Sequence, residues 1–444
     1  MEYKTSIERN FNEINYGKNI KFNFQKISGI ILILSVIFSI SIFNFSSLHS
    51  LYDSITEYQI GLYTSGNTYS LTIKDFISKV LVLFFFFILG LEIKKEFVIG
   101  DLANIKTSVT LIVSSIGGVI IPMLIYLAFN YHDELSMKGF VIPISTDTAI
   151  AIGIMSLFKK YFPSRLFHYI SCVSVIDDLI SIAIITIYLN TSVNFEFIGL
   201  GLIIFSIMLL ANFSGIRNVF SYFLLGFLLW LCFEKAGIHG TTAGLITAMA
   251  IPARPKDNPN IFIKKIRRLL FKLESDYEPS EHMLKQEKLQ KNFLKLKDES
   301  IKATTPLQRW YNSLMKPVLL IILPLFIIIN GTLEINLYSI NNALHSTIFW
   351  GILLALVAGK PLGLMIFTWI VLKLKLGEIP FKNTKKEVLL VGMLTGIGYT
   401  ISSFMANLTY TDENIIAITK FATMTGSMLA AIFAIIYAKK ISNS

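Results

Sequence analysis

The chain is short of cysteine and of charge. Two cysteines, Cys172 and Cys232, stand among 444 residues, both inside apolar segments, which excludes a disulfide framework and a cysteine metal cluster. Only 16% of the residues are charged against 53% hydrophobic, and the mean hydropathy is +0.62, which excludes an ordinary soluble domain. The first apolar run, about residues 27 to 45, lacks a small-residue cleavage site and reads as a retained span rather than a signal peptide. The formal charge of +11 does not point to nucleic acid, because basic residues in a membrane chain report orientation first. No cofactor and no enzymatic site is expected.

What is present is a series of apolar windows long enough to cross about 30 Å of hydrocarbon. They lie near residues 27–46, 76–92, 108–130, 138–158, 166–189, 196–212, 219–233, 239–252, 317–332, 346–372, 387–409 and 415–438. Lys and Arg crowd the N-terminal tail, Lys94-Lys95, Lys159-Lys160, the stretch from Arg254 to Lys316, Lys373 to Lys386 and Lys439-Lys440, whereas the alternate loops carry only Lys74, Lys138 and Lys235. The positive-inside rule puts both termini in the cytoplasm. The expected fold is an all-α polytopic membrane protein of about twelve transmembrane helices in a bilayer. Its parts are a cytoplasmic tail (1–26), eight helices (27–252), a charged cytoplasmic insertion (253–316), four helices (317–438) and a second cytoplasmic tail (439–444).

Two adjacent carboxylates, Asp177 and Asp178, sit inside the fifth window. One Asp at mid-helix costs about 2.5 to 3.5 kcal/mol on insertion scales, so an intramembrane pair marks function. Ser171, Ser174, Asp178 and Ser181 recur at steps of three and four and share a helix face that can line water. Asp177 points about 100° away. The bland alternative is a structural pair, but polar glue in membranes is usually uncharged.

The fourth span contains Pro143-Ile144-Ser145-Thr146-Asp147-Thr148, and the proline removes a backbone donor and breaks or kinks the helix. Frayed backbone at membrane depth lines a cavity or lies buried in protein. Asp147, between two threonines, then stands among oxygens of the kind a hard cation takes. In the tenth span Lys360 lies about 18 Å from either end, too far to snorkel out, and needs Asp147, Asp177 or Asp178 as partner. The eleventh span is weakened by Gly392, Gly396 and Gly398. The fourth and eleventh spans thus read as a matched pair of discontinuous, crossing helices in inverted repeats.

Between the first two spans, alternation around Ser65-Gly66-Asn67 signals a hairpin, near residues 59 to 73, able to pair with a second subunit by strand addition. Asp75 and Glu92 stand at opposite ends of the second span. In the insertion, Ile266, Leu269, Leu270 and Leu273 mark one amphipathic helix and Ser280 to Lys302 a second. The default is a solvated insertion; the sharper reading is a site for anionic lipid or a partner.

Together, Gly90 to Glu96, Ile142 to Gly153, Ile176-Asp177-Asp178-Leu179, Gly237-Ile238-His239, Leu323-Pro324-Leu325-Phe326, Gly359-Lys360-Pro361-Leu362-Gly363 and Gly392 to Phe404 resemble the NhaA-type sodium/proton antiporters. Inverted repeats are a known property of that family. The resemblance implies twelve helices, an inner-membrane location and electrogenic exchange of Na+ or Li+ for protons. It implies that Asp177 and Asp178 form the ion and proton site, that Lys360 pairs with Asp177, and that Asp147 with Thr146 compensates opposed helix ends. Members usually dimerise through the extracytoplasmic hairpin. Two departures stand out: Tyr311, Asn312 and Met315 replace the family's Glu-His and His positions of the pH sensor, and the insertion from about Asp257 to Thr305 is long. His239, Glu92 and Asp75 remain as gating or pH candidates. A sodium-coupled organic anion symporter would want a polar pocket of Arg, Asn or Gln beside the site, and none is seen. An intramembrane aspartyl protease needs its aspartates on two helices with a Gly-x-Gly-Asp context, which is absent.

Overall fold

A computed structural model of the chain describes residues 24–64, 67–188, 194–238, 240–278, 282, 285–379 and 384–442. In hydrocarbon every backbone polar group must be satisfied within its own segment, so an apolar open chain has one solution, the helix. Among the described residues eight helices are long and apolar enough to cross: α1 (Phe24–Asn44), α3 (Ile73–Ile99), α4 (Ile105–Asn130), α7 (Ser164–Tyr188), α8 (Phe195–Phe213), α13 (Pro306–Asn330), α15 (Thr347–Lys373) and α18 (Glu413–Ser442). Two helix pairs meet the same standard only when taken together and are bent at a short break: α5 (Glu134–Ile144) with α6 (Thr148–Leu157) at 46°, and α16 (Lys385–Thr395) with α17 (Tyr399–Thr409) at 49°. The chain is therefore a helical polytopic membrane protein.

The two remaining windows are helical but shorter. Helix α9 (Val219–Lys235) has 17 residues and α10 (Gly240–Ala250) has 11, about 25 and 17 Å at 1.5 Å per residue. The other helices are α2 (Ser46–Thr56), α11 (Pro259–Ser275), α12 (Glu287–Ala303) and α14 (Leu337–His345). The hairpin is present: β1 (Gln59–Thr64) pairs antiparallel with β2 (Asn67–Thr72), from Gln59↔Thr72 to Thr64↔Asn67.

The chain divides into two compact units. The first comprises Met1–Phe85, Ile99–Ser192 and Pro317–Ser444; the second comprises Phe86–Val98 and Val193–Lys316. In the first, α4 and α15 touch backbone to backbone. A Cβ on Gly363 would lie 2.1 Å from Gly117 O, and one on Gly117 would lie 2.5 Å from Gly363 O. Any side chain there would force the helices apart, and this contact seats Lys360, one turn before Gly363, deep in the unit.

The second unit has a core of Phe87, Leu91, Met208, Tyr222 and Leu307. Lys94 reaches the C-terminal end of α10 and donates to Met249 O and Ile251 O, carbonyls that have no partner within the helix. Its insertion is a pair of packed helices, α11 and α12. The half-buried stripe of α11 is Phe262, Ile266, Leu269 and Leu273. Leu270, expected on that stripe, is exposed instead, since it stands 100° from Leu269 around the helix. The second insertion helix is described from Glu287 to Ala303; Ser280, its expected start, lies outside the described residues.

Candidate ion site

The site begins with two interruptions that face each other. The first, Ser145 to Asp147, follows a 3-10 coil, Lys138–Ile144, that holds Pro143. The tighter coil winds the chain through the proline, and the helix stops just beyond it. The second interruption is Gly396 to Gly398. Asp147 N donates to Ile397 O at 2.7 Å, and a Cβ on Gly398 would lie 2.5 Å from Ser145 O, so only glycine admits this approach. Ser402 Oγ donates to Ile142 O at 2.8 Å and Ser427 Oγ accepts from Gly398 N at 3.1 Å. Every one of these bonds takes up backbone that the breaks set free.

Broken helices expose both of their dipole ends, and the site places opposite charge at each. Asp147 Oδ2 accepts from Thr400 N at 2.6 Å, while Oδ1 takes the Thr400 hydroxyl and Ile401 N. These amides form the first turn of α17, its positive end. Lys360 Nζ donates to Ile144 O, the last carbonyl of α5, and to Asp177 Oδ2 at 2.8 Å. Thr146 Oγ1 lies 3.1 Å from Thr395 O, at the carbonyl end of α16, and accepts from Lys360. The oxygens expected around Asp147 as cation ligands are thus largely engaged with helix ends.

The open oxygens belong to α7. Asp177 and Lys360 are both 0% exposed and Asp178 is 4% exposed. Among the described residues, Asp177 Oδ1, Asp178 Oδ1 and Ser174 Oγ have no hydrogen-bond partner. Ser181 Oγ is occupied by Asp177 O at 2.8 Å. Three buried carboxylates, Asp147, Asp177 and Asp178, face one buried ammonium, Lys360. With Asp147 offset by the α17 terminus, the α7 pair remains one positive charge short. Carboxylate and hydroxyl oxygens are the donors a hard monovalent cation takes, and a carboxylate is equally a proton acceptor.

The other candidates lie elsewhere. Asp75 pairs with Lys79 at 3.3 Å in an exposed contact at the foot of the hairpin. Glu92 is half-buried in the second unit, and His239 lies outside the described residues. Of the altered sensor positions, Tyr311 has Lys95 Nζ 5.4 Å from its ring centroid, Asn312 is exposed and Met315 half-buried.

Several residues went unmarked in the sequence. Thr400 holds Asp147, and nothing in an isolated threonine announces a helix N-terminus. Lys420 is buried in α18 and donates to Thr332 O at 3.3 Å; the reasoning that singled out Lys360 applies to it equally. Glu96, near Glu92, is the buried one of the two.

Opposed broken helices around a buried carboxylate pair define a class, the cation-handling secondary transporters of membranes. Comparison with known proteins gives the family. The chain matches the family described as Na+/H+ antiporter 1 over residues 20–438. It is 30% identical to Na(+)/H(+) antiporter NhaA 1 of Shewanella denitrificans over 442 residues, 99% of this chain and 98% of the relative. To Na(+)/H(+) antiporter NhaA of Sulfurimonas denitrificans it is 32% identical over 422 residues, 95% and 94% of the two chains. The chain belongs to the NhaA Na+/H+ antiporter family.

Proposed function

We propose that this chain is a sodium/proton antiporter of the bacterial cytoplasmic membrane, serving sodium extrusion and pH homeostasis, with Asp177 and Asp178 as the site where Na+ or Li+ and protons compete. The observation that carries the reading is the pair of unpartnered oxygens, Asp177 Oδ1 and Asp178 Oδ1, buried beside a single lysine. Two close carboxylates resist carrying both negative charges unless a cation or a proton joins them. Exchange therefore follows from competition, and alternating exposure of the site to the two sides moves sodium out as protons enter. Electrogenic exchange, as the family resemblance implies it, requires more than one proton for each monovalent cation.

The supporting residues have separate tasks in this reading. Lys360 neutralises Asp177 when the site is empty and yields it as the cation arrives. Asp147, Thr146 and Thr400 hold the opposed helix ends in register. Twelve helices, both termini in the cytoplasm, and inverted repeats with the broken spans crossing complete the architecture. The hairpin at Gln59–Thr72 is the proposed dimer contact.

The test is proton flux in proteoliposomes on addition of sodium, lithium or potassium. Flux with sodium and lithium but not potassium is expected. Flux that is absent with all three, from protein shown to be folded, overturns the reading.

A further inference from the structure

The ion site leaves the cytoplasmic insertion without a task, and the insertion exposes a surface that solvation does not account for. Helix α11 packs on α12, and Phe262, Ile266, Leu269 and Leu273 form its half-buried stripe. Phe271 on the opposite face is exposed by 74%, and Ile263 and Leu270, on the flank between it and the stripe, by 55% and 49%. Lys264, Arg267 and Arg268 are interleaved with them and also exposed. At 100° per residue Arg267, Phe271 and Lys264 fall within about 60° of arc, with Ile263 and Leu270 on one flank and Arg268 on the other. Among the described residues none of the three basic side chains forms an ion pair, whereas Lys265, on the α12 side, is held by Asp257 and Glu299.

A solvated helix gains nothing from an exposed Phe beside Leu and Ile. A helix lying in a membrane interface gains from both components, the rings entering the acyl boundary and the cations meeting phosphates. Reach allows it: α11 starts at Pro259, shortly after α10 ends at Ala250, a connection spanning at most about 30 Å. We infer that the outer face of α11 docks onto the anionic lipid of the cytoplasmic leaflet, with Phe271, Leu270 and Ile263 inserted and Lys264, Arg267 and Arg268 at the headgroups. The surface is one of binding, separate from the ion chemistry.

The test uses the full chain in nanodiscs. Phe271→Cys, in a Cys172→Ser, Cys232→Ser background that retains sodium-dependent flux, carries an environment-sensitive dye. In discs containing phosphatidylglycerol the dye is expected to report an apolar surrounding and to be quenched by headgroup-proximal spin-labelled lipid; in pure phosphatidylcholine quenching falls. Changing Lys264, Arg267 and Arg268 to Gln weakens docking about fivefold per charge, and raising salt to about 1 M does the same as the Debye length shrinks to about 3 Å. On the unmutated chain, trypsin cleavage at Lys264 to Arg268 is expected to be slower in the anionic discs. Equal solvent exposure of the dye and equal trypsin rates in both lipids overturn the proposal. Shielding that is independent of lipid and grows with protein concentration overturns it too, in favour of a second copy as occupant.

Discussion

Two clusters in this chain are built from the same groups at the same distances. Among the apolar helices, Lys360 meets Asp177 at 2.8 Å; in the charged insertion, Lys265 meets Asp257 at 2.6 Å and Glu299 at 2.8 Å. They differ in surroundings and in balance. The first pair is fully buried, and a second carboxylate, Asp178, adjoins it. The insertion's lysine is 41% exposed, and with Lys302 also on Glu299 its charges cancel. A balanced, solvated network is screened and contributes little. A buried, unbalanced one is costly to break and is left with unfilled oxygens. Distance alone does not distinguish structure from site; burial and the surplus of one sign do.

The largest expected effect is on transport. Asp177→Asn and Asp178→Asn each abolish sodium-dependent proton flux in proteoliposomes while the protein still inserts; normal exchange by either would refute the assignment. Next comes Lys360→Ala, which leaves a buried carboxylate uncompensated and lowers stability by about 3–5 kcal/mol or stops exchange. Pairing it with Asp177→Asn should recover a large part of the thermal stability, because the stranded charge is gone. No recovery in the double variant would mean that the lysine acts mainly through Ile144 O.

Thr400→Val follows, since it deprives the Asp147 carboxylate of its hydroxyl donor and keeps the amides. A loss of about 1.5–3 kcal/mol is expected for a bond to a charged group, read as lowered thermal stability in detergent; an unchanged midpoint would show that the two amides suffice.

The pH profile sharpens the comparison further. Competition at the α7 pair predicts that raising sodium shifts the onset of activity to lower pH, by up to about one unit per tenfold for each proton displaced. An onset fixed in pH would reveal a remote switch. The Lys265–Glu299 network of the insertion cannot supply one in this range. Hydrogen bonds from Lys265 and Lys302 hold Glu299 below the usual carboxylate range, so its stabilisation is complete above that range and is lost only as pH falls through the lowered value. Hydrogen bonds to Asp257 and Glu299 hold Lys265 above the usual lysine range, so its contribution is complete below that range and is lost only as pH rises through the raised value. Between about pH 5 and 10 neither changes. Replacing Asp257 to Thr305 with a flexible linker should therefore leave the profile in place. The smallest effect is that of Lys265→Gln, for which flux and melting indistinguishable from the parent are expected.

The site was legible in the sequence wherever a residue violated its surroundings. Asp177, Asp178 and Lys360 stand out as charges within apolar runs, and Pro143 as a proline within a span. The pairing to Asp177 came with the family resemblance; from the residues alone Asp147 and Asp178 remained open. Thr400 was invisible because one of its two bonds to Asp147 comes from a backbone amide, which every residue but proline possesses, and the other from a hydroxyl like that of any threonine. Lys94 read as an interfacial charge, since the carbonyls of α10 that it serves lie more than a hundred positions away in the sequence. The hairpin was readable from alternation and turn residues together. The boundary of α12 and the exposure of Leu270 depended on packing between two helices, which no single segment encodes.

The seam between Gly117 and Gly363 has a kinematic consequence. With a would-be Cβ only 2.1 Å from the facing backbone, the seam has no side-chain layer to deform, and a slip of α15 that brought position 367 opposite Gly117 would drive a phenyl ring into the gap that the glycines occupy. Helices α4 and α15 therefore travel as one lever, carrying Lys360 at a fixed place along it. In the proposed exchange, motion that changes access to Asp177 and Asp178 is expected where the elements are joined by hydrogen bonds that can exchange partners, as Lys360 is to Asp177 and Asp147 is to Thr400.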